Sequence, residues 1–191
     1  WSKGEVRKMK IKNWGEESIS GPVAIGIDPS LTNFAMVAFS PSDGAAFRAQ
    51  LLQPQTRGAE RLCEIQDRLA DFIHDFEDVT DIAMEGTVRM SAAASVLGEL
   101  SGATRSYLFR HFDKLIPLNV PPMTLKKYIN GTGKGVNKSQ ILLSCYKKWG
   151  VELSDDNVAD AYGLARIAAG HADLTYEKEV LSRLKDPKFR T

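Results

Sequence analysis

Residues 23–53 read V-A-I-G-I-D-P-S-L-T-N-F-A-M-V-A-F-S-P-S-D-G-A-A-F-R-A-Q-L-L-Q. Three apolar runs stand out: V-A-I-G-I-D from Val23, F-A-M-V-A-F from Phe34 and A-F-R-A-Q-L-L-Q from Ala46. A short polar turn separates the first two, and Pro41-Ser42-Asp43-Gly44 the last two, so the stretch predicts three antiparallel strands joined by tight turns.

The pattern changes on either side. Upstream, residues 1–21 carry Lys3, Arg7, Lys8, Lys10 and Lys12 beside Trp1 and Trp14 without sustained periodicity, and are read as a basic arm ending at Gly21-Pro22. Downstream, Leu62, Ile65, Leu69, Phe72, Ile73 and Phe76 fall on one helical stripe across residues 57–77. Asp81-Ile82-Ala83-Met84-Glu85 then reads as a short buried strand, completing a strand, crossover helix, parallel strand unit. A helix over about 91–112, a strand over 115–120 stopped by Pro121-Pro122, helices over about 138–149 and 157–171, and a last one from Tyr176 to Arg183 follow. This order is an α/β sandwich, a mixed five-stranded sheet with helices on both faces. The body is 22–175, with 176–191 as a C-terminal helix and tail.

Composition narrows the function classes. The 191 residues are 43% apolar and 26% charged, and 25 Lys and Arg against 24 Asp and Glu leave a formal charge of +1. No global excess of charge names a partner, so any nucleic-acid surface must be a local patch. The longest apolar runs are too short to span a membrane, and no signal peptide opens the sequence, which predicts an intracellular protein. Cys63 and Cys145 share no metal spacing and read as core residues.

The near-neutral total hides segregation. Residues 121–150 hold Lys126, Lys127, Lys134, Lys138, Lys147 and Lys148 and no acid, whereas residues 57–87 hold nine acids against three arginines. The basic stretch contains N-G-T-G-K-G-V-N-K, a glycine-rich loop that fits either a solvated surface loop or a phosphate cradle. It lacks P-loop spacing. His74, His111 and His171 share no metal spacing and read as surface or capping residues. Phe72, Phe76, Tyr107, Phe109, Tyr146 and Trp149 fit helical core or edge positions better than a base-stacking platform.

Three carboxylates occupy unusual places. Asp28 and Glu85 each end a hydrophobic strand, which carries them to the carboxyl edge of the sheet, where α/β proteins collect ligands. Either can instead be a turn acid, since Pro29 follows one and Gly86 the other. Asp160 sits in the small, apolar helical text N-V-A-D-A-Y-G-L-A, where a lone acid has desolvation to offset unless that face meets water. Asp155, Asp156 and Asn157 suit an N-cap and first turn, yet Asp156 and Asn157 also share a helix face with Asp160. Several such acids together would repel one another unless a hard cation, magnesium or manganese, neutralised them.

The motifs G-I-D-P-S-L-T-N, I-A-M-E-G-T, P-M-T-L-K-K-Y-I-N-G-T-G-K-G-V-N-K and D-D-N-V-A-D-A-Y-G-L-A, in this order over about residues 22–172, resemble those of the RuvC-type Holliday junction resolvases, particularly the phage-like branch. The resemblance implies a ribonuclease H-like fold and a homodimer that cuts opposed strands of a four-way DNA junction with two magnesium or manganese ions. It would make Asp28, Glu85 and Asp160 the catalytic, metal-holding acids, with Asp156 or Asn157 supplying a further ligand. Lys126, Lys127, Lys134 and Lys138 would contact phosphates, with Lys134 or Lys138 closest to the scissile one. Asn157 stands where the family often has Asp or His, and Val88 where bacterial members carry an aromatic wedge. One ion would activate water and the other stabilise the leaving 3′ oxygen, giving 5′-phosphate and 3′-hydroxyl ends. The alternatives are an actin-like or sugar-kinase-like phosphotransferase, suggested by G-I-D-P-S-L-T-N, and an inactive junction-binding protein.

Overall fold

In a computed structural model that describes residues 9–86 and 94–190, the strands form one sheet in the order β1-β4-β3-β2-β5-β6. These are β1 (Lys10–Gly15), β2 (Val23–Asp28), β3 (Phe34–Ser40), β4 (Ala46–Gln53), β5 (Val79–Glu85) and β6 (Leu118–Val120). β2 and β3 are buried along their whole length, as expected of central strands covered on both faces. β1 to β4 pair antiparallel, whereas β5 runs parallel to β2 and β6 parallel to β5.

The sheet has six strands, not five. The extra one is β1, from the stretch expected to be a basic arm, which pairs with β4 from Lys10 opposite Gln53 to Gly15 opposite Arg48. Its exposed Lys10 and Lys12 gave no alternating pattern to read, and such lysines suit an edge strand because they discourage further pairing. At its end Gly15 has φ +82° and lies so close to the Phe47 carbonyl that an added Cβ would sit 2.1 Å from the oxygen.

Side-chain parity divides the sheet between two helical layers. Ile25 and Ile27 of β2, Met36 of β3 and Ile82 and Met84 of β5 face α1 (Gly58–His74) and α2 (Ala94–His111). Ala35 and Val37 of β3, Ala49 and Leu51 of β4 and Ala83 of β5 face the other way. That face is covered by α3 (Pro122–Asn130), α4 (Lys138–Trp149), α5 (Asp156–Ala168) and α6 (Thr175–Leu184). α3 was not expected: Pro121-Pro122 reads as a stop, but Pro122 occupies the first turn of a helix, where its missing N–H costs nothing.

α6 is fastened rather than trailing. Glu177 is fully buried, its Oε1 2.6 Å from Lys148 Nζ, while its Oε2 accepts from the Asp173 and Leu174 amides. Lys148 also donates to the Tyr128 and Ile129 carbonyls at the end of α3 and lies over the Trp149 ring, so it is a structural cation rather than part of the exposed basic patch. Beside it, Arg166 is only 2% exposed, sandwiched near Phe39 and Trp149 and 2.9 Å from Asp173. Arg190 closes the C-terminus onto Asp81 and the Ile116 carbonyl. Cys145 is buried as expected, but Cys63 is exposed on α1. No helix among the described residues is long and apolar enough to cross a membrane.

Candidate active site

Asp28 is the last residue of β2 and Glu85 the last of β5, and the two strands are parallel neighbours with Ile27 opposite Met84. Adjacent parallel strands that end together present their last side chains side by side. By parity Asp28 follows Gly26, and Glu85 follows Ala83, on the face that α5 covers. The two carboxyl groups share a side-chain hydrogen bond.

Gly26 sets the height of α5 above them. A Cβ on Gly26 would lie 2.0 Å from the Ala161 carbonyl oxygen and 2.3 Å from the Ala165 amide nitrogen, so the helix backbone rests directly on the strand. That contact brings Asp160, the neighbour of Ala161, down to the acids. Its Oδ1 is buried and has no hydrogen-bond partner. Gly163 plays a similar part toward α3, since a Cβ there would meet Ile129 Cδ1 at 2.7 Å.

Electrostatics confirm the gathering. The Asp28 carboxyl is raised well above the usual carboxylate range, first by burial and then by the charges of Glu85 and Asp160. Glu85 is raised by burial, partly offset by the hydrogen bond from Asp28 and by the Lys126 ammonium. Asp160 is pushed up to about 7 by burial, then by Glu85 and Asp156, against the pull of Lys126 and Lys138. Among the described residues, no three His, Cys, Asp or Glu side chains are drawn in tightly enough to hold one ion as they stand. The donors still fit a hard divalent cation: all are carboxylate oxygens, they repel one another, and Asp160 carries a buried oxygen with nothing to bind.

The first turn of α5 separates capping from chemistry. Asp155 is the N-cap, accepting from the Asn157 amide at 2.9 Å and from Asn157 Nδ2 at 2.9 Å. Asp156 is thereby released from capping, and its Oδ2 lies 2.7 Å from Lys138 Nζ. Asn157 is held by Asp155, leaving its amide oxygen as the atom it could offer a cation.

The lysines divide by helix phase. Lys126, on α3, and Lys138, at the start of α4, are the ones whose charge reaches Asp160. Lys127, its neighbour on α3, turns the other way into an ion pair with Glu179 of α6 at 3.0 Å. Lys134 lines a separate groove, so of the two lysines expected nearest the scissile phosphate it is Lys138, together with Lys126, whose charge reaches the acids. Lys126 is expected from the sequence to contact phosphate, but as part of a loop; its helix phase is hidden by the unexpected α3. Val88 lies outside the described residues. Ser30 spends its hydroxyl locally on the Thr32 and Asn33 amides, which closes the G-I-D-P-S-L-T-N loop on itself.

No protein-family model matches this chain, and no curated protein matches it. Solved structures do. RuvC from Thermus thermophilus in complex with a Holliday junction substrate superposes with a TM-score of 0.62 at 24% identity, covering 75% of this chain and 90% of that one. A second Thermus thermophilus RuvC structure gives 0.60 at 21% identity, covering 85% of this chain and 96% of the other. The chain therefore has the RuvC-type, ribonuclease H-like fold, as the motif order implied.

Proposed function

We propose that this protein is a metal-dependent, structure-selective DNA endonuclease that resolves four-way or similarly branched DNA by phosphodiester hydrolysis, acting as a homodimer. The observation that carries the reading is the convergence of Asp28, Glu85 and Asp160 at one sheet edge, with Asp160 Oδ1 buried and unpartnered. The shared fold with a junction-bound RuvC supports it.

Asp28, Glu85 and Asp160 would hold the cations, and Asp156 or the Asn157 amide oxygen would complete the set. Magnesium or manganese bound there would supply a more acidic water and offset charge on the leaving 3′ oxygen. The protein's own part is positional. The Gly26 contact and the Asp155 cap fix where Asp160 stands, while Lys126 and Lys138 offset the charge that grows on the phosphate. The Lys138 side chain is 80% exposed, free to exchange Asp156 for a phosphate oxygen. Cutting opposed strands of one junction needs two such sites, hence the dimer; Val96 and Phe109, exposed on α2, offer apolar surface for it.

The test is strand-resolved cleavage of a synthetic four-way junction with and without magnesium, beside a linear duplex of the same sequence. Paired, metal-dependent cuts leaving 5′-phosphates are expected, with Asp160→Asn binding the junction but not cutting it. Cleavage by Asp160→Asn, or no cleavage by the parent with either metal, overturns the proposal.

A further inference from the structure

β1 lies outside the motifs that carry the family resemblance, yet the fold lines it up with the acids. The pairing runs Asp28 opposite Ala35, Ala35 opposite Leu51 and Leu51 opposite Lys12, so Asp28 and Lys12 are the two ends of one row across four strands. Directly paired residues share a face, and Trp14, two residues from Lys12, packs with Ala35 and Leu51 on the side that α5 covers. Lys12 therefore stands on the same face as Asp28, three strand spacings or about 14 Å away. The next row out starts at Lys10 opposite Gln53 and reaches Asn33, whose Oδ1 accepts from Gln53 Nε2 at 2.9 Å. Lys10 and Lys12 are exposed, and among the described residues neither enters an ion pair, whereas Lys127, Lys138 and Lys148 each hold an acid within 3.0 Å. Residues 10–15, 29–40 and 46–57, which form this side of the sheet, contain no acid. β1 is also fixed in place. Trp14 Nε1 donates to Ser154 Oγ at 3.3 Å, just ahead of the α5 cap, and the Glu16 amide donates to the Phe47 carbonyl at 2.8 Å. The cap carboxylate itself, Asp155, is occupied by Asn157.

We propose that this edge, from Asn33 and Gln53 to Lys10 and Lys12, is a track for the phosphate backbone of one duplex arm of the junction; the inference rests on the nuclease reading and extends it to a strand the family motifs do not include. Protection of an edge strand explains lysines on β1, but lysines anywhere along it would serve that purpose. It does not explain why both sit on the face of Asp28, at the end of the strand where the acids gather. Charge complementarity selects the occupant. An arm leaving the scissile phosphate toward β5 meets Glu85, whereas one leaving toward β1 meets two unpaired ammonium groups and the side-chain amides of Gln53 and Asn33, which suit phosphodiester oxygens. The span agrees. About 14 Å is roughly four steps of a duplex strand at 3.4 Å of axis each, so Lys12 meets a phosphate about four positions from the cut. Lys10 and Lys12 thus hold an arm whose path decides which phosphate reaches Asp28.

The experiment measures binding of a four-way junction without divalent metal, by fluorescence anisotropy, as a function of salt. Lys10→Ala and Lys12→Ala should each lower the slope of log affinity against log salt by about 0.9, and the double variant by about 1.8. Over a fourfold rise in salt the parent then loses about twelvefold more affinity than the double variant. Glutamine at both positions should reproduce the loss, which covers the case in which the alanine pair does not fold, and arginine at both should keep the parent slope. Lys185→Ala removes an exposed lysine that lines a cavity with Asp81, near the opposite end of β5, and should leave the slope unchanged. If the parent binds but the neutral double variants keep its slope, or if Lys185→Ala lowers it as much as Lys12→Ala, the track is refuted. A parent that binds no junction at all overturns the nuclease reading, and the track with it.

Discussion

Replacing Gly26 with alanine tests the feature on which the site's geometry depends. The added carbon would lie 2.0 Å from the Ala161 oxygen and 2.3 Å from the Ala165 nitrogen, both backbone atoms that no rotamer change can move. Reaching an ordinary 3.4 Å contact with that oxygen requires α5 to retreat by about 1.4 Å, the difference between 3.4 and 2.0. α5 is buried against β2, β3 and β5, so the retreat opens packing on three strands. Overpacking of this kind costs about 3 kcal/mol, the upper end of the usual range. At this chain length that lowers the melting temperature by roughly 6–12 °C. Asp160 moves with the helix, and a misplacement of about 1 Å at a reacting centre can cost on the order of a hundredfold in rate. Thermal unfolding followed by circular dichroism, with single-turnover junction cleavage below the melting range, reads both effects. Gly102→Ala on α2, where an added carbon meets nothing within 4 Å, should instead be neutral or raise stability by up to about 1 kcal/mol. A Gly26→Ala variant that melts and cuts like the parent would refute the claim that this contact sets the site.

Two further outcomes follow from buried charge. Without metal, Asp160 at about 7 binds a proton in the folded state that the unfolded chain has released above its ordinary value of 3.8. Stability is therefore greatest at low pH within this window and falls as pH rises from about 4 to 7, by up to roughly 4 kcal/mol from this group. Urea unfolding at pH 5 and pH 8 should show the loss, Asp160→Asn should flatten it, and magnesium should restore stability at pH 8; stability that rises over this range counts against the cluster. Lys148→Met strands Glu177 without its partner and should cost about 3–5 kcal/mol, a fall of roughly 6–20 °C, with part regained when Glu177→Leu is added. An undiminished melting temperature in Lys148→Met would show that the pair does not fasten α6.

What could be read from the residues alone was decided by periodicity. Asp28 and Glu85 were legible because each ends an apolar strand, and the convergence of Asp160 with them depends on the glycine two residues before Asp28, whose role appears only once α5 lies on it. β1 escaped because lysines on an exposed edge strand leave no apolar alternation. α3 escaped because Pro122 both stops one element and opens the next, and with the helix went the phase that sends Lys126 to the acids and Lys127 to Glu179. Tyr146 and Phe109, placed in the core or at its edge by spacing, are 59% and 45% exposed, since helical spacing defines a stripe without saying which neighbour covers it.

The six lysines of residues 121–150 look alike in sequence, yet the fold gives them four different surroundings, and this differentiation is what turns a charge run into a site. Lys148 is consumed by Glu177 and the end of α3, and Lys127 by Glu179, so both contribute to placing α6 and α3. Lys126 and Lys138 lie within the field of Asp160, where a cation lowers the cost of ionising the acids before any metal arrives. Their charge is too small a remedy on its own, because Asp28 and Glu85 remain raised despite it. The cluster is thus left short of positive charge by an amount that lysines set back from the carboxylates do not supply and a divalent cation among them would. Lys134 and Lys147 enter no ion pair among the described residues and border the groove between the loop after α3 and α4.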